Sequence, residues 1–159
     1  MSDDAIIQGH EQILAHTLPL FRDYPIPPEV ELELPPPSTK TLDIRFEEYV
    51  PGRSLTATAT AAAQYGNAVG TLQAGILSAM LDDVIGPLTF LTARGLTTCM
   101  EMTTHFLRPV RIGDRLRLSA MVRKAGRTVI FVAAEAHTGD DKLVATVMST
   151  QQVVWPPAR

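Results

Sequence analysis

Between Thr97 and Val154 the chain holds four strand-length runs, Thr97 to Leu107, Arg115 to Lys124, Thr128 to His137 and Leu143 to Val154, with only short gaps between them. Pro109 with Gly113-Asp114, Gly126, and Gly139-Asp140 mark the turns, because these residues either fix φ or tolerate the left-handed region. A parallel connection needs a crossover of about a dozen residues or more, so turns this short predict antiparallel neighbours. Upstream, Leu42-Asp43-Ile44-Arg45-Phe46 alternates apolar and polar, Pro51-Gly52 marks a turn, and the Thr/Ala alternation from Leu55 to Ala63 reads as a second strand. The two form a hairpin, with Thr56, Thr58 and Thr60 expected toward solvent and Ala57, Ala59 and Ala61 in close packing.

Between hairpin and strands lies one apolar helix, starting near Gln73 or Ala74. Leu77, Met80, Leu81, Val84 and Leu88 recur at i, i+3, i+4, i+7 and i+11, which is the stripe of a core-facing helix. Gly86-Pro87 is expected to break or kink it before a last turn near Arg94-Gly95. One helix with about six antiparallel strands gives an α+β architecture in which the sheet wraps the helix. Such a unit leaves sheet edges and one helix flank open, and pairing with a second copy covers both, so a homodimer or homotetramer is expected.

Ahead of the hairpin, Ile6, Ile7, Ile13, Leu14, Leu18 and Phe21 recur at roughly helical intervals and predict one helix over Asp3 to Arg22, capped by Ser2 or Asp3. Pro25, Pro27, Pro28, Pro35, Pro36 and Pro37 then fix φ and remove donors, which predicts an extended connector from Tyr24 to Ser38. The chain divides into residues 1–39, helix and connector, and residues 40–159, the α+β domain.

At 45% hydrophobic and 19% charged, 159 residues suffice for one domain with a real core. A net charge of -3 gives no clustered basic face for a nucleic-acid partner. Cys99 stands alone, which rules out an internal disulfide; it reads as a small buried apolar residue. The acidic start lacks the basic and apolar regions of a signal peptide, and no stretch is read as reaching membrane-spanning length. A cytoplasmic protein with no membrane partner is the expectation.

The helix start carries the chemistry. Its first amides lack intrahelical acceptors and lie at the positive end of the helix dipole, so the N–H groups of Ala74 and Gly75 can face a developing oxyanion. At about 100° per residue, Asp82 falls away from the apolar stripe with Ser78, Ala79 and Gly86. This face is small, suited to approach by a ligand or a second subunit. A helix N-terminus and a carboxylate on the same helix are parts of an acyl-transfer site. Asp83 lies about 100° around the helix and is the weaker candidate. Asn67, between Gly66 and Gly70, is either a turn residue or a group that orients a substrate carbonyl. His105 and His137 have no acidic or cysteine partner at metal spacing, so no metal site is read.

The string Asn67 to Gly75, then Asp82, then Thr104-His105-Phe106-Leu107-Arg108-Pro109-Val110 and Gly113-Asp114, resembles the hotdog-fold thioesterases of the phenylacetate-degradation, PaaI-like type over residues 40 to 154. The family pattern of Asn, then His-Gly-Gly, then an acid falls on Asn67, on Gln73-Ala74-Gly75 and on Asp82. Gln73 replaces the usual His and Ala74 the first Gly; Gln can donate and accept hydrogen bonds but cannot titrate. The resemblance implies hydrolysis of an acyl-CoA thioester, with Asp82 as general base or nucleophile, Ala74 and Gly75 as oxyanion donors, and Asn67 and Gln73 orienting the reacting group. It also implies a site completed by a second subunit. Arg108, Arg111 and Arg127, with Arg123 and Lys124, are the cations suited to coenzyme A phosphates. Coenzyme A would be a leaving group, so no retained cofactor is expected. Two rivals remain: a non-catalytic acyl-CoA or ligand-binding module on the same fold, and a hotdog dehydratase or hydratase.

Overall fold

In the computed structural model, which describes residues 5–24, 26–27 and 29–155, seven strands form one antiparallel sheet around one long helix. The elements run β1 (Ile7–Gln8), α1 (His10–Asp23), α2 (Pro37–Thr41), β2 (Arg45–Val50), β3 (Ser54–Thr60), a 3-10 turn (Ala63–Tyr65), α3 (Ala74–Ala93), β4 (Leu96–Phe106), β5 (Arg115–Ala125), β6 (Val129–Thr138) and β7 (Leu143–Trp155). The spatial order is β1-β2-β3-β5-β6-β7-β4.

The expected stripe of α3 is its buried face: Leu77 is 3% exposed, and Met80, Leu81, Val84 and Leu88 are fully buried. They meet inward residues of the sheet such as Ala57, Leu116, Leu118, Val132 and Val147, so the core sits between helix and sheet. Alanines at 57, 59 and 61 let the helix approach β3 closely. Thr58, expected toward solvent, is buried, because the Arg115 side chain covers it and its Nη2 donates to Thr58 Oγ1 at 3.4 Å.

Several expectations need correction. β5, β6 and β7 form the predicted meander, but β4 pairs with β7 rather than with β5, from Phe106 opposite Ala145 to Thr97 opposite Val153. The segment after β4 leaves the sheet edge and crosses to β5, held by Val110 O accepting from Leu72 N at 2.8 Å. Helix α3 is not broken at Gly86-Pro87; it runs unbroken to Ala93, with Arg94 in the left-handed region at φ 54° as its cap. Proline there removes only one ladder donor. α3 is also long and apolar enough to cross a bilayer by length and composition, with a mean hydropathy of 1.4 over its best window, contrary to expectation. Here it is the core helix, half of that window being buried by the sheet. Cys99 is exposed on the edge strand β4 rather than buried.

The N-terminal helix is shorter than predicted. Ile7 and Gln8 pair with Tyr49 and Glu48 instead of continuing the helix, and Gly9, at φ 87°, turns the chain into α1. The proposed caps Ser2 and Asp3 lie outside the described residues, as do Pro25 and Pro28 of the connector. Pro37 opens α2, a position where a missing amide donor is harmless.

His10 anchors this segment: its Nδ1 accepts a hydrogen bond from Phe46 N at 3.0 Å and its ring stacks on Phe46 with centroids 5.7 Å apart. Burial, with Arg45 nearby, holds its pKa below the ordinary 6.5, against the opposite pull of Glu11 and Asp43. A depressed pKa means that the folded state favours the neutral ring. Its contribution to stability is present above pH 6.5 and is lost as pH falls through the folded pKa. The melting temperature is expected to fall on acidification from about pH 7 to about pH 5 by more in the wild type than in His10→Ala. Equal acid sensitivity in the two proteins would show that His10 does not carry the effect.

Candidate active site

The loop from Asn67 to Thr71 is tied by one side chain. Asn67 Oδ1 accepts from Val69 N and Thr71 N, both at 3.1 Å, and Nδ2 donates to Thr71 Oγ1 at 2.8 Å. Asn67 therefore shapes this loop, with Gly70 at φ 79°, and keeps one Nδ2 hydrogen with which to reach a ligand. The turn reading has direct support in these bonds.

Gln73 ends the loop as the N-cap of α3. Its backbone N–H donates to Tyr65 O at 2.9 Å, and its side-chain Oε1 accepts from Ile76 N at 3.2 Å. A cap of this kind satisfies one of the orphan amides of the helix start. The side chain lies against Gly75, where an added Cβ would come within 3.0 Å of Gln73 Oε1. Gln73 is thus folded onto its own helix and does not reach Asn67. Ala74 and Gly75 are exposed, and neither amide donates to another described residue. These two N–H groups point out of the positive end of a 20-residue helix, the geometry an oxyanion requires.

Asn67, Ala74 and Arg108 line one pocket of about 310 Å³ with Thr71, Leu72, Leu77 and Phe106. Arg108 Nη1 donates to Leu143 O at 2.6 Å, and Arg111 belongs to the same corner through its bridge with Thr71. Arg127 lies past the far end of β5, about 35 Å from Arg111 at the usual rise per strand residue. Within one chain it cannot serve the same phosphate group.

Asp82 lies eight residues beyond Ala74, about 12 Å along the helix axis at 1.5 Å per residue. It is exposed, and among the described residues it has neither a hydrogen-bond nor an ion-pair partner. Enough protein surrounds the carboxyl that desolvation raises its pKa above the usual carboxylate range. Of its expected neighbours on the small face, Ala79 is also exposed, and Ser78 Oγ donates to Thr104 Oγ1 at 3.3 Å across to β4.

Asp83 has another task. Ser38 Oγ donates to its Oδ1 at 2.8 Å, which fastens α2 onto α3, while its buried Oδ2 and the neighbouring buried Thr39 Oγ1 stay outside hydrogen-bonding geometry. Burial raises the Asp83 pKa, opposed by the Ser38 hydrogen bond. No sequence pattern marks this latch, which depends on how the connector folds back.

A second, larger cavity of about 510 Å³ opens beside Asp82, walled by α1, the connector, α3 and the start of β4. Sequence reading did not locate it; its one sequence signal is a glycine inside an apolar helix.

Residues 69–145 match the family model of the thioesterase superfamily. The human protein acyl-coenzyme A thioesterase 13 is 25% identical over 92 residues, covering 57% of this chain and 66% of that protein, and the chain spans no more of the other curated relatives it matches. A putative thioesterase from Ralstonia eutropha JMP134, a phenylacetic acid degradation-related protein, has a solved structure that aligns at a TM-score of 0.70. It is 31% identical over 86% of this chain and 98% of its own. The E. coli PaaI protein from the phenylacetic acid degradation operon aligns at a TM-score of 0.72, with 23% identity over 76% of this chain and 86% of that one, a likeness of fold.

Proposed function

Since the chain belongs to the thioesterase superfamily, in its PaaI-like branch of hydrolases acting on thioesters, we propose that it hydrolyses acyl-CoA esters to a carboxylic acid and free coenzyme A. The observation that carries this reading is Asp82: a partly desolvated carboxylate without a partner among the described residues, on the open small face of a helix whose first two amides are also unclaimed. A carboxylate that is partly desolvated and has no cation beside it is a stronger base. Asp82 takes a proton from water as the water adds to the thioester carbon, or adds to that carbon itself to give an acyl-aspartate anhydride that water then hydrolyses to the free acid. The carbonyl oxygen collects the negative charge, two N–H groups stabilise it, and the thiolate leaves.

Asp82 and the amides of its own helix start are about 12 Å apart, too far for one reacting carbon. The site therefore pairs Asp82 of one subunit with Ala74 and Gly75 of another. Sheet order favours such a pair, because one edge is the two-residue β1 and the other is the eleven-residue β4, exposed along most of its length. Long edge strands are ready templates for pairing with another chain. Met100, 61% exposed, and Phe106, 47% exposed, lie on that strand and would be covered. Arg108 and Arg111, with Arg127 of the other subunit, supply cations for the coenzyme A phosphates.

Free thiol released from acyl-CoA esters, followed with a thiol-reactive chromophore, tests the reading, and light scattering tests the pairing. Tight acyl-CoA binding without thiol release would instead identify a ligand-binding module, the alternative favoured by Gln73 acting as a helix cap.

A further inference from the structure

Gly86 lies inside α3, where a glycine destabilises a helix relative to alanine. Nothing in the fold requires it. Its φ is not positive, and a Cβ built on it meets no heavy atom within 4 Å. The open space it leaves is part of the 510 Å³ cavity, on the same helix face as Asp82 and one turn further along. Leu14 and Leu18 of α1 and Leu34 of the connector form another wall, and Pro87 and Phe90 continue the α3 wall. The α1 and connector residues lie outside the matched segment 69–145.

The cavity also contains Glu33 and Asp83, but both are engaged, Glu33 with Lys40 at 3.0 Å and Asp83 with Ser38. Asp82 is the one acid left without a partner on an otherwise mainly apolar surface. A volume of this size lies within the usual range for pockets that enclose a whole small ligand, far more than an acetyl group occupies.

We propose that this cavity is the acyl subsite, that it takes an apolar acyl group several carbons long, and that Gly86 with Leu14 and Leu18 sets the size admitted. The proposal rests on the thioesterase reading, with Asp82 at the thioester and the acyl group running along α3 past Gly86. Gly86→Leu places a side chain in the open space without a backbone clash, and leucine is a good helix former.

The experiment measures kcat/KM of the full chain for acetyl-, decanoyl- and phenylacetyl-CoA in the wild type, Gly86→Ala, Gly86→Leu and, from the α1 wall, Leu18→Trp, with melting curves as a check on folding. The wild type is expected to prefer the two larger acyl groups, and Gly86→Leu to lower the decanoyl-to-acetyl ratio by about tenfold or more, with Gly86→Ala between. A wild type without such preference, or bulky variants at both walls that leave the ratio unchanged, overturns the subsite. If no thioester is hydrolysed, the thioesterase reading fails and calorimetry with decanoate decides the cavity. Binding weakened by Gly86→Leu supports an apolar-chain site, and no binding to the wild type overturns it.

Discussion

Asp82→Asn is expected to lower kcat/KM for an acyl-CoA thioester by about 10²- to 10⁴-fold, the range that a positioned base contributes. Asparagine keeps the size and polarity of the side chain and removes only its capacity to accept a proton or form an acyl anhydride. The same substitution is expected to raise the melting temperature at neutral pH. Desolvation raises the Asp82 pKa in the folded state, so its contribution to stability is full below about pH 3.8, the unfolded value, and is lost as pH rises through the folded pKa. At neutral pH the ionised carboxylate is therefore a destabilising group, and the amide is not. The stabilisation should disappear in acid, and the wild-type kcat/KM should fall on the acid side with an apparent pKa above the ordinary carboxylate value. Activity within twofold of the wild type, measured by thiol release, would remove Asp82 from the mechanism.

What could be read from the sequence follows the range over which each feature is determined. β5, β6 and β7 are legible to within about a residue because each alternates with period two and a glycine turn separates each from the next. The buried stripe of α3 was legible for the same local reason. The place of β4 was not. A short connection predicts adjacency, whereas β4 pairs with β7 at the edge of the wrapped sheet and its connection crosses to β5. Ile6 and Ile7 fitted a helical period, but pairing of β1 with β2 and the positive φ of Gly9 decide that stretch. At the site, the residue types were legible and their engagement was not. Gln73 was recognised as unable to titrate, yet its bond to Ile76 N needs the helix start in three dimensions. Asp83 and Asp82 differ in sequence by one position, and only α2 folding back through Ser38 separates a latch from a free carboxylate. The cavity beside Asp82 exists because α1 and the connector pack over α3, contacts between segments some 50 to 80 residues apart in sequence.

The second large effect concerns the helix start. Ala74 is the first residue of α3, and Gln73 before it has φ −65° and ψ 131°, the extended conformation that a following proline demands. Proline is at home in the first position of a helix, so Ala74→Pro deletes one amide donor and leaves the backbone path intact. Loss of one oxyanion donor is expected to lower kcat by about 10²- to 10³-fold, with the melting temperature little changed. This variant and Asp82→Asn are each inactive for a different reason, and together they test where the site is made. After the two are unfolded together and refolded, half of the dimers combine one chain of each kind. If Asp82 works on the amides of its partner, one of the two sites in every mixed dimer has both an intact Asp82 and an intact Ala74. About a quarter of wild-type activity then returns, as the two-fold symmetry of such a pair dictates. If Asp82 works with its own helix start, no site in any mixed dimer is whole and no activity returns. The 12 Å that eight helical residues place between the two groups makes the first outcome the expected one.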